Sequence, residues 1–536
     1  MEYNLADLFE SVVDVVPDRE ALVYVDHPGT GAERRLTYAE LDAAANRIGH
    51  HLIDAGIRPG EHLGLHLYNG IEYLQTVFGC LKARIVPVNV NYRYVEDELV
   101  YLYRDADLVA LVFDAEFDGR VAAALPQCPK LRHLVRVGGD GEGAAAVPFT
   151  EAEAGGSPER GFPVRSGDDQ FIIYTGGTTG MPKGVMWRQE DLFFSGLGGG
   201  APTGEPVRKP QELAERVAAG GSGITFFPTP PLMHGTSTLT SLIGFNFGQR
   251  VVLHRKFAPE EVLRTIEKEK VTAMSLVGDA MLRPLIDALN GPMKGTDCSS
   301  MFSVSSSGAV MSETVRRQFQ ELLPGTMLLN NYGSSESGFN GTATADSGAG
   351  QTFRIRVNSR TQVVDPATYE PVAVGEVGRV AQCGHVPLGY YNDAKKTAET
   401  FFEKDGRRWV LLGDMATVDD EGIVTVLGRG SQCINTGGEK VYPEEVEQAL
   451  KGHPDVYDAL VAGVPDAKWG NHVAAVVQLR EGAARPSLAD IQSYCRSHLA
   501  GYKIPRQLVI AEAIRRSPSG KADYRWAKDV AAAADR

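Results

Sequence analysis

Residues 172–187 read IIYTGGTTGMPKGVMW, and this stretch decides the fold. The apolar run QFIIYT (170–175) lies between polar residues and glycines, which predicts a buried strand that ends in a turn. The turn combines glycines and threonines with Lys183. After a strand, such a loop directs backbone N–H groups and hydroxyls toward phosphate oxygens, and the lysine adds positive charge. The stretch therefore predicts a phosphate-binding loop, with a solvated turn as the alternative.

Two common nucleotide motifs do not fit this loop. Gly180 is followed by Met181 and Pro182 before Lys183, so the GxxxxGK[ST] spacing is absent. No GxGxxG opens a helix after the first strand, so a dinucleotide-binding fold has little support. A glycine-rich turn alone is weak support for function.

The segments downstream of the loop alternate between helical and strand patterns. PEEVLRTIEKEK (259–270) begins with proline and two acids, which predicts a helix that leads into the strand VTAMSLV. SMFSVSSS (300–307) and TMLLNN (326–331) predict strands on either side of a helix capped by Ser312. Strand, helix, strand in series predicts a mostly parallel, doubly wound α/β sheet, which binds ligands at the carboxyl ends of its strands.

The pattern changes twice after residue 345. Short β-type pieces separated by glycine and proline predict a small β-barrel-like subdomain, and residues beyond 432 predict a compact α+β domain. GRGSQCINTGG (428–438) is the expected boundary between a large and a small domain. Residues 139–161 and 196–210, rich in Gly, Pro and Ala, are expected to be surface loops.

Composition excludes several functional classes. The chain has 536 residues and a formal net charge of −14 without any basic run, which argues against a nucleic-acid partner and predicts two to four folded units. The acidic N-terminus lacks signal-peptide features, which favours a cytoplasmic location. Residues 217–249 contain no Asp, Glu, Lys or Arg, but their prolines and glycines favour a buried enzyme interior over a transmembrane helix. The six cysteines show no metal-type spacing and are expected to be reduced.

Five motifs together resemble one enzyme superfamily. YTGGTTGMPKG (174–184) is similar to the phosphate loop of the adenylate-forming acyl-CoA synthetases. NNYGSSESG (330–338), LLGDMATVDDEG (411–422), GRGSQCINTGGEKVYPEEVE (428–447) and SPSGKADY (517–524) resemble the next four elements of that superfamily, in its order. The resemblance implies an N-terminal domain over residues 1–429, a hinge at 430–434, and a mobile C-terminal lid domain over 435–536.

The resemblance also implies a two-step reaction and its residues. A carboxylic acid would react with ATP to give an acyl-adenylate, and CoA would then displace AMP. Lys521 is expected to stabilise the charge that develops at the α-phosphate, and Glu336 to hold Mg²⁺. The implied ATP contacts are a phosphate loop (Thr175, Gly176, Gly177, Thr178, Thr179, Gly180 and Lys183) and an adenine and phosphate set (Gly308, Asn331, Tyr332 and Ser335). Asp414 is expected at the ribose and Arg429 at the ribose or phosphate, with a surface ion pair as the alternative for Arg429.

The implied CoA contacts lie in the lid domain. Gly437, Gly438 and Lys503 are expected near the pantetheine path, although a solvated surface role is the alternative for Lys503. Because one domain must present Lys521 in one step and the NTGGEK loop in the other, the resemblance implies a domain rotation. Many members carry an acidic residue at the hinge position that Gln432 occupies here, so a charge-assisted hinge contact is not expected.

The uncharged run indicates the type of acid. It includes PLMHGTST (231–238), which resembles the element lining the acyl pocket, and His234 would contact the carboxylate or gate the pocket; a hydrogen-bonded core histidine is the alternative. Without Lys, Arg or Asp in the run, an apolar acid is favoured. The variants YTGGTTGMPKGVMW and VGDAMLRPL (277–285) resemble an actinobacterial branch of long-chain acyl-CoA synthetases that includes enzymes activating steroid side-chain acids. This resemblance implies a long-chain or sterol-derived acid, and medium-chain and aryl acids remain open.

Three other functions share parts of this pattern. A ligase that loads a carrier protein would make the same adenylate but lacks a fused carrier domain here. A light-emitting oxygenase shares the fold, but the chain ends without the peroxisomal SKL sequence. A noncatalytic adenine-nucleotide sensor is disfavoured by the retention of Lys521 and Glu336. The sequence leaves the oligomeric state open, and a homodimer is one arrangement that it allows.

Overall fold

The computed structural model describes most of the chain. The described residues are 1–25, 33–139, 141, 143–176, 181–201, 204–220, 223–343, 353–466, 468–517 and 520–534. The helices are α1 (Leu5–Val15), α2 (Tyr38–Asp54), α3 (Ile71–Lys82), α4 (Glu96–Asp105), α5 (Asp118–Ala124), α6 (Phe149–Gly155), α7 (Gln189–Gly196), α8 (Gln211–Ala219), α9 (Gly235–Asn246), α10 (Pro259–Glu269), α11 (Gly278–Asn290), α12 (Glu313–Leu322), α13 (Ala394–Thr400), α14 (Pro443–Lys451), α15 (Leu488–Arg496) and α16 (Tyr524–Ala534).

The strands begin in the N-terminal part with β1 (Glu20–Val25), β2 (Glu33–Thr37), β3 (His62–His66), β4 (Val86–Asn89), β5 (Leu108–Asp114), β6 (His133–Val137), β7 (Val147–Pro148), β8 (Gln170–Thr175) and β9 (Lys183–Arg188). The middle of the chain adds β10 (Thr225–Pro228), β11 (Arg250–His254), β12 (Ala273–Leu276), β13 (Ser303–Ser307), β14 (Met327–Ser334), β15 (Gly338–Ala343), β16 (Phe353–Val357), β17 (Thr361–Val364), β18 (Gly378–Cys383), β19 (Gly389–Tyr390), β20 (Phe401–Lys404), β21 (Arg407–Val418) and β22 (Ile423–Arg429). The last strands are β23 (Ile434–Thr436), β24 (Glu439–Val441), β25 (Val456–Asp466), β26 (Gly470–Leu479) and β27 (Gln507–Ala511).

Two large sheets form the N-terminal part. One has eight strands in the order β19-β9-β8-β4-β3-β5-β6-β7, and β8 pairs in parallel with β4 and antiparallel with β9. The other has 14 strands, and its central strands β11, β10, β12, β13 and β14 are parallel. Parallel strands joined by helices confirm the doubly wound α/β class. The carboxyl ends of β13 and β14 lie side by side, which places the loops after them in one cleft.

The β-rich region after residue 353 extends the second sheet. β15, β16, β22, β21, β18 and β17 are antiparallel and continue from β14 to the edge of that sheet. β21 and β22 pair so that Asp414 lies opposite Arg429. This pairing brings two charged residues from neighbouring strands side by side.

A separate C-terminal domain follows β22. β23 and β24 form a two-stranded sheet, and β25, β26 and β27 form a three-stranded sheet in which β26 and β27 are parallel. α14 and α16 both pack against β25. An isolated bridge between Arg516 and Ala522 closes the turn that carries Lys521.

Local sequence patterns explain the helix ends well. Pro259 occupies the first turn of α10 with Glu260 and Glu261, as expected, and the helix ends at Lys270 in the left-handed conformation. Ser312 caps α12 through the N–H of Val315. One prediction was wrong: residues 139–161 are not all loop, because Phe149 and Ala152 bury an apolar face and form α6.

A buried cation joins the first three helices. The Lys82 side chain, at the end of α3, is fully buried, and its ammonium lies 2.5 Å from Glu10 of α1 and 2.6 Å from Asp42 of α2. A buried ammonium is tolerated only with such partners. The ion pairs therefore fix the packing of these helices.

The uncharged run and the cysteines are placed as their patterns predict. The run contributes β10 and α9 to the large domain, with Phe227 and Phe245 fully buried. No helix in the described part of the chain is long and apolar enough to span a membrane. All six cysteines are free; Cys433 is partly exposed and the other five are buried.

Candidate active site

The predicted phosphate loop lies between two antiparallel strands. β8 ends at Thr175 and β9 begins at Lys183, and these two residues are paired across the sheet. Gly176 is described as an exposed residue, whereas the predicted ligands Gly177, Thr178, Thr179 and Gly180 lie outside the described residues. The Lys183 ammonium forms an ion pair with the Asp393 carboxylate at the start of α13. The hydrogen bond from Lys183 lowers the pKa of Asp393, so the Asp393 carboxyl is ionised at neutral pH.

The ends of β13 and β14 supply the second group of predicted residues. Gly308 follows β13 with φ of +82°, a conformation that favours glycine. Asn331 and Tyr332 lie in β14, and the Asn331 side chain accepts a hydrogen bond of 2.9 Å from Thr342. Ser335 and Glu336 follow the strand. The Glu336 carboxylate accepts a hydrogen bond of 3.0 Å from the Tyr390 hydroxyl, which fixes its direction.

Trp187 supports this second group from β9. Its ring is fully buried, and its indole N–H donates a 2.9 Å hydrogen bond to the carbonyl of Ser335. The strand that follows the phosphate loop thereby supports the Ser335–Glu336 turn. Trp187 is therefore a buried residue with a structural contact.

Asp414 connects Tyr332 and Arg429. The Tyr332 hydroxyl donates a 2.9 Å hydrogen bond to Asp414 Oδ2, and Arg429 Nε lies 3.0 Å from Oδ1. Burial and the Asp414 charge raise the pKa of Tyr332 well above its ordinary value, so the phenol stays protonated. The same carboxylate raises the pKa of Arg429. Among the described residues, each Asp414 oxygen therefore has one such donor, and its remaining lone pairs are available to the hydroxyls of a ligand.

Lys521 reaches this cleft from the C-terminal domain. A Cβ built on Gly308 would lie 3.5 Å from Cε of Lys521, so the lysine passes directly over the bare Cα. The Lys521 side chain is exposed in the cleft, but the surrounding protein partly desolvates its ammonium. This desolvation, and then the charge of Arg429, lowers the pKa of Lys521. The charges of Glu336 and Asp414 act in the opposite direction on this pKa. Arg429, Glu336 and Asp414 therefore all lie near the Lys521 ammonium. Because Lys521 and Glu336 are far apart in the chain, only the packing of the two domains brings them together.

His234 lies at the start of α9, near the same cleft. Burial, then the charges of Lys521 and Arg93, lowers the pKa of His234 to about 3, so its ring is neutral. Its Nε2 atom is buried and has no hydrogen-bond partner among the described residues. The sequence also allowed a core histidine with a hydrogen-bonded ring. At Nε2 of His234 the structure shows no such hydrogen bond among the described residues. A neutral ring with an unpaired nitrogen is available to a ligand.

An apolar cavity flanks His234. It is narrow, about 10 Å³, and its lining has no charged side chain. The lining residues come from β3, β4, β8, α3 and the start of α9, and include Tyr73, Phe171, Ile173, Leu232 and Gly235. An acyl group would enter this space only by displacing side chains.

The three predicted CoA contacts lie in the C-terminal domain. Gly437 and Gly438 connect β23 to β24 with φ of +59° and +92°. The Trp469 ring covers Gly437, and the Gly437 N–H donates to the Trp469 carbonyl at 2.8 Å. The Lys503 ammonium is bound to both oxygens of Glu445, at 2.6 and 2.7 Å. The described contacts of these three residues stay within their own domain and do not reach the group around Lys521.

Sequence reasoning missed Glu444 at the boundary between the domains. Its carboxyl lies against the Cα of Gly428 in β22, and its buried Oε2 has no hydrogen-bond partner among the described residues. Burial, then the charge of Glu447, raises the pKa of Glu444 to about 8. In the sequence, Glu444 resembles any acid in the first turn of a helix, so only the packing of α14 against β22 identifies it.

Tyr390 and Asp393 were also missed from the sequence. Tyr390 contacts Glu336, and Asp393 contacts Lys183. Tyr390 and Asp393 belong to GYYND (389–393), which matches no motif that carries chemistry by itself. Among the described residues, no group of three or more His, Cys, Asp or Glu side chains is arranged to hold a metal ion. A cation at Glu336 would therefore need ligands from the substrate and from water.

Family models match both parts of the chain. The model described as AMP-binding enzyme matches residues 9–391, and the model described as AMP-binding enzyme C-terminal domain matches residues 445–521. The first match alone covers well over half of the chain.

Curated relatives match along the whole length. A medium/long-chain-fatty-acid–CoA/3-oxocholest-4-en-26-oate–CoA ligase of Mycobacterium tuberculosis is 47% identical over 536 residues, which cover 98% of this chain and 96% of the relative. A 3-oxocholest-4-en-26-oate–CoA ligase of Rhodococcus rhodochrous is 44% identical over 543 residues, with 99% and 96% covered.

Solved structures share the fold at lower identity. The anthranilate CoA ligase AuaEII in complex with anthranoyl-AMP has a TM-score of 0.85 at 23% identity, with 100% of this chain and 98% of that chain covered. ATP-bound MatB from Rhodopseudomonas palustris has a TM-score of 0.80 at 24% identity, with 100% of both chains covered.

Proposed function

The chain belongs to the AMP-binding enzyme family, and we propose that it is an ATP-dependent ligase that joins a hydrophobic carboxylic acid to CoA through an acyl-adenylate. One observation carries the proposal. Lys521, from the C-terminal domain, lies over Gly308 in the cleft that also contains Glu336, Asp414 and Arg429. A cation that one domain delivers to the nucleotide cleft of the other is suited to stabilise charge on a reacting phosphate.

In the first proposed step, a carboxylate oxygen attacks the α-phosphorus of ATP and pyrophosphate leaves. Negative charge moves onto the phosphate oxygens, and the Lys521 ammonium is placed to stabilise it. Asp414, held by Tyr332 and Arg429, accepts hydrogen bonds from the ribose hydroxyls. Thr175, Gly176 and Lys183, with the loop between them, contact the β- and γ-phosphates, so Lys183 must exchange Asp393 for phosphate.

Gly308, Asn331, Tyr332 and Ser335 would form the adenine and phosphate contacts. Glu336 fits Mg²⁺ because it is a single carboxylate oriented by Tyr390, and Mg²⁺ bound to ATP needs few protein ligands. The ion would neutralise phosphate charge. The neutral His234 ring would form a hydrogen bond with the substrate acid near the carboxylate of that acid, because Nε2 of His234 has no partner among the described residues.

In the second proposed step, the CoA thiol attacks the acyl carbon, AMP leaves, and the thiol proton passes to solvent. We propose that residues 1–429 form the adenylate-binding domain and that residues 435–536 rotate about a hinge at 430–434. Rotation would remove Lys521 from the cleft and bring the Gly437–Gly438 loop to it. Lys503 would meet the phosphates of CoA only after release from Glu445.

The apolar lining beside His234 supports a hydrophobic acid. An amino acid or a dicarboxylate would need a charged partner, and this lining offers none. The named substrates of the relatives from Mycobacterium tuberculosis and Rhodococcus rhodochrous are fatty acids and a steroid side-chain acid. We propose the same two classes for this chain.

Mass spectrometry tests the proposed function. Purified protein is incubated with ATP, Mg²⁺, CoA and a pool of acids from short chains to steroid side-chain acids. The expected result is the CoA thioester of a long-chain or steroid side-chain acid, with AMP and pyrophosphate. Acyl-adenylate without any thioester would indicate a carrier-protein ligase. Bound nucleotide without any product would indicate the nucleotide sensor.

A further inference from the structure

One face of α11 carries a row of charged residues. Asp279, Arg283 and Asp287 are spaced four residues apart, so they lie along one face of the helix. Asp279 and Arg283 are 4% and 3% exposed, which is rare for charged side chains. The proposed chemistry does not use any of the three. Their placement therefore needs a separate explanation.

The C-terminal domain covers this face. The Lys451 ammonium, at the end of α14, lies 3.6 Å from Asp279 Oδ2. The Arg283 guanidinium lies 5.4 Å from the centre of the Tyr457 ring, and the Tyr457 hydroxyl donates to Asp287 Oδ2 at 3.4 Å. Charged and aromatic groups of one domain thus match those of the other.

A chain of contacts leads from this face to Lys521. The Lys451 ammonium also lies 3.8 Å from Asp458, which binds Arg516 through two hydrogen bonds of 2.7 Å. Arg516 donates a 3.2 Å hydrogen bond to the carbonyl of Gly520, the residue before Lys521. The position of α11 is therefore transmitted to the backbone of Lys521 through successive polar contacts.

Gly520 also touches the large domain directly. Its φ is +70°, and a Cβ on it would lie 3.1 Å from the carbonyl oxygen of Val277, next to the start of α11. A side chain there would be strained and would push the turn away from α11. The absence of a side chain lets the turn approach closely.

The contacts across the boundary are loose compared with a permanent core. The Lys451–Asp279 ion pair is 3.6 Å long. Among the described residues, Asp279 Oδ2 and the three side-chain nitrogens of Arg283 have no hydrogen bond. Buried groups left in this state give little net stability. Such an interface can separate and form again at low cost.

We propose that Asp279, Lys451, Asp458 and Arg516 form a positioning relay that holds Lys521 in the cleft for adenylate formation. The inference rests on the proposed function. The relay touches neither substrate nor reacting atoms; it acts through Lys521. Because the contacts belong to the present orientation of the domains, the thioester step does not depend on them.

Asp279→Asn tests the relay most directly. Asparagine keeps the Oδ1 atom that accepts the Ser312 N–H at 2.8 Å but removes the charge facing Lys451. Adenylate formation, measured in single turnover with saturating ATP and acid, should slow by about 5- to 100-fold, the range of a coupling between sites. The KM for ATP should stay near the wild-type value. Thioester formation from preformed acyl-adenylate and CoA should match or exceed the wild-type rate.

Lys451→Met provides a second variant that keeps the length of the side chain. It should slow the same half-reaction, and the paired change Asp279→Lys with Lys451→Asp should recover part of the rate by restoring opposite charges. Asp287→Asn is the comparison variant on the same helix face. Asp287 is exposed, and of the C-terminal side chains named above it contacts only the Tyr457 hydroxyl. It should have a much smaller effect.

Two results would overturn the relay. Equal losses in both half-reactions would assign Asp279 and Lys451 a merely structural role, and unchanged rates in both would remove any role. Failure of the proposed function is distinguishable, because wild-type protein would then form no acyl-adenylate from any acid in the pool.

Discussion

At the residue scale, the cleft combines anions of the large domain with a cation of the C-terminal domain. Glu336 and Asp414 each accept a hydrogen bond from a tyrosine hydroxyl, whereas Lys521 lies on a turn of the other domain. If the proposed rotation occurs, this cation stabilises phosphate charge in one step only. The consequences are testable at single positions.

Lys521→Ala should slow adenylate formation by about 100- to 1,000-fold, equivalent to roughly 3 to 4 kcal/mol, because a charged donor to the transition state is lost. Thioester formation from preformed acyl-adenylate should be normal. ATP–pyrophosphate exchange measures the first step and thioester release measures the second. Lys528→Ala, which removes an exposed lysine of the same domain, is the control. A wild-type exchange rate in Lys521→Ala would contradict the role.

Glu444 should make the stability of the protein depend on pH. Burial raises its pKa from an ordinary value of 4.5 to about 8, so the folded state holds a proton that the unfolded state releases. The contribution to stability is therefore full below about pH 4.5 and is lost as the pH rises toward 8. Glu444→Gln stays neutral and should not show this loss.

Thermal unfolding measures this difference. Between about pH 5 and pH 9, the melting temperature of the wild type should fall relative to that of Glu444→Gln. Glu512→Gln, at an exposed position of the same domain, should follow the wild type. Parallel curves for wild type and Glu444→Gln would show that Glu444 is ionised throughout.

At the element scale, the turn between β23 and β24 has two adjacent glycines with different surroundings. Both have positive φ, but a Cβ on Gly437 would lie 2.6 Å from the Trp469 ring, whereas one on Gly438 would meet nothing within 4 Å. Backbone strain acts at both positions, and a steric clash acts only at Gly437.

Gly437→Ala should therefore destabilise the C-terminal domain more than Gly438→Ala. Strain in the left-handed region costs about 1 kcal/mol or more in each variant, and displacement of Trp469 adds to it in Gly437→Ala alone. Chemical unfolding followed by tryptophan fluorescence would measure both. Equal stabilities would mean that Trp469 moves away freely.

The elements with strong local patterns were predicted well from the sequence. QFIIYT is β8, PEEVLRTIEKE is α10 and Ser312 caps α12, because buried apolar runs, proline and capping residues act locally. The helix α6 was missed because its apolar face, Phe149 and Ala152, lies within an alanine- and glycine-rich stretch. Tertiary burial, not local pattern, stabilises that helix.

The site was predicted only where a motif carried it. The resemblance supplied Lys521, Glu336 and Asp414, and the structure describes all three in one cleft. It did not supply Tyr390, Asp393 or Glu444, whose contacts depend on how distant segments pack. The relay through Lys451 was likewise beyond the sequence, because no local pattern pairs α11 with α14.

At the scale of the whole molecule, the buried Lys82 controls how the N-terminal helices pack. Lys82→Ala would remove the cation that Glu10 and Asp42 share, while Arg165 would remain 2.5 Å from Glu10 and Arg160 2.8 Å from Asp42. We expect a loss of about 1.5 to 3 kcal/mol in unfolding free energy, because the buried acids lose one charged hydrogen-bond donor but each keeps another. Activity per folded molecule should not change, because Lys82 and its partners contact none of the proposed site residues.

Lys130→Ala is the matched comparison for Lys82→Ala. The Lys130–Asp107 pair is 2.8 Å apart, but the Lys130 side chain is 66% exposed. An exposed pair contributes at most about 1 kcal/mol. Denaturant unfolding of both variants measures the difference, and similar losses would argue that Lys82 is hydrated in solution.

The distribution of cysteines makes the protein suitable for site-specific labelling without mutagenesis. Five thiols are buried, whereas Cys433 is partly exposed. Cys433 and Gln432 line a polar cavity of about 170 Å³ between residues 431–434 and α16. Burial raises the pKa of Cys433, so a maleimide would react slowly at neutral pH and faster in mild alkali. A fluorophore or spin label attached there would report the proposed rotation of the C-terminal domain as a spectroscopic change at the proposed hinge.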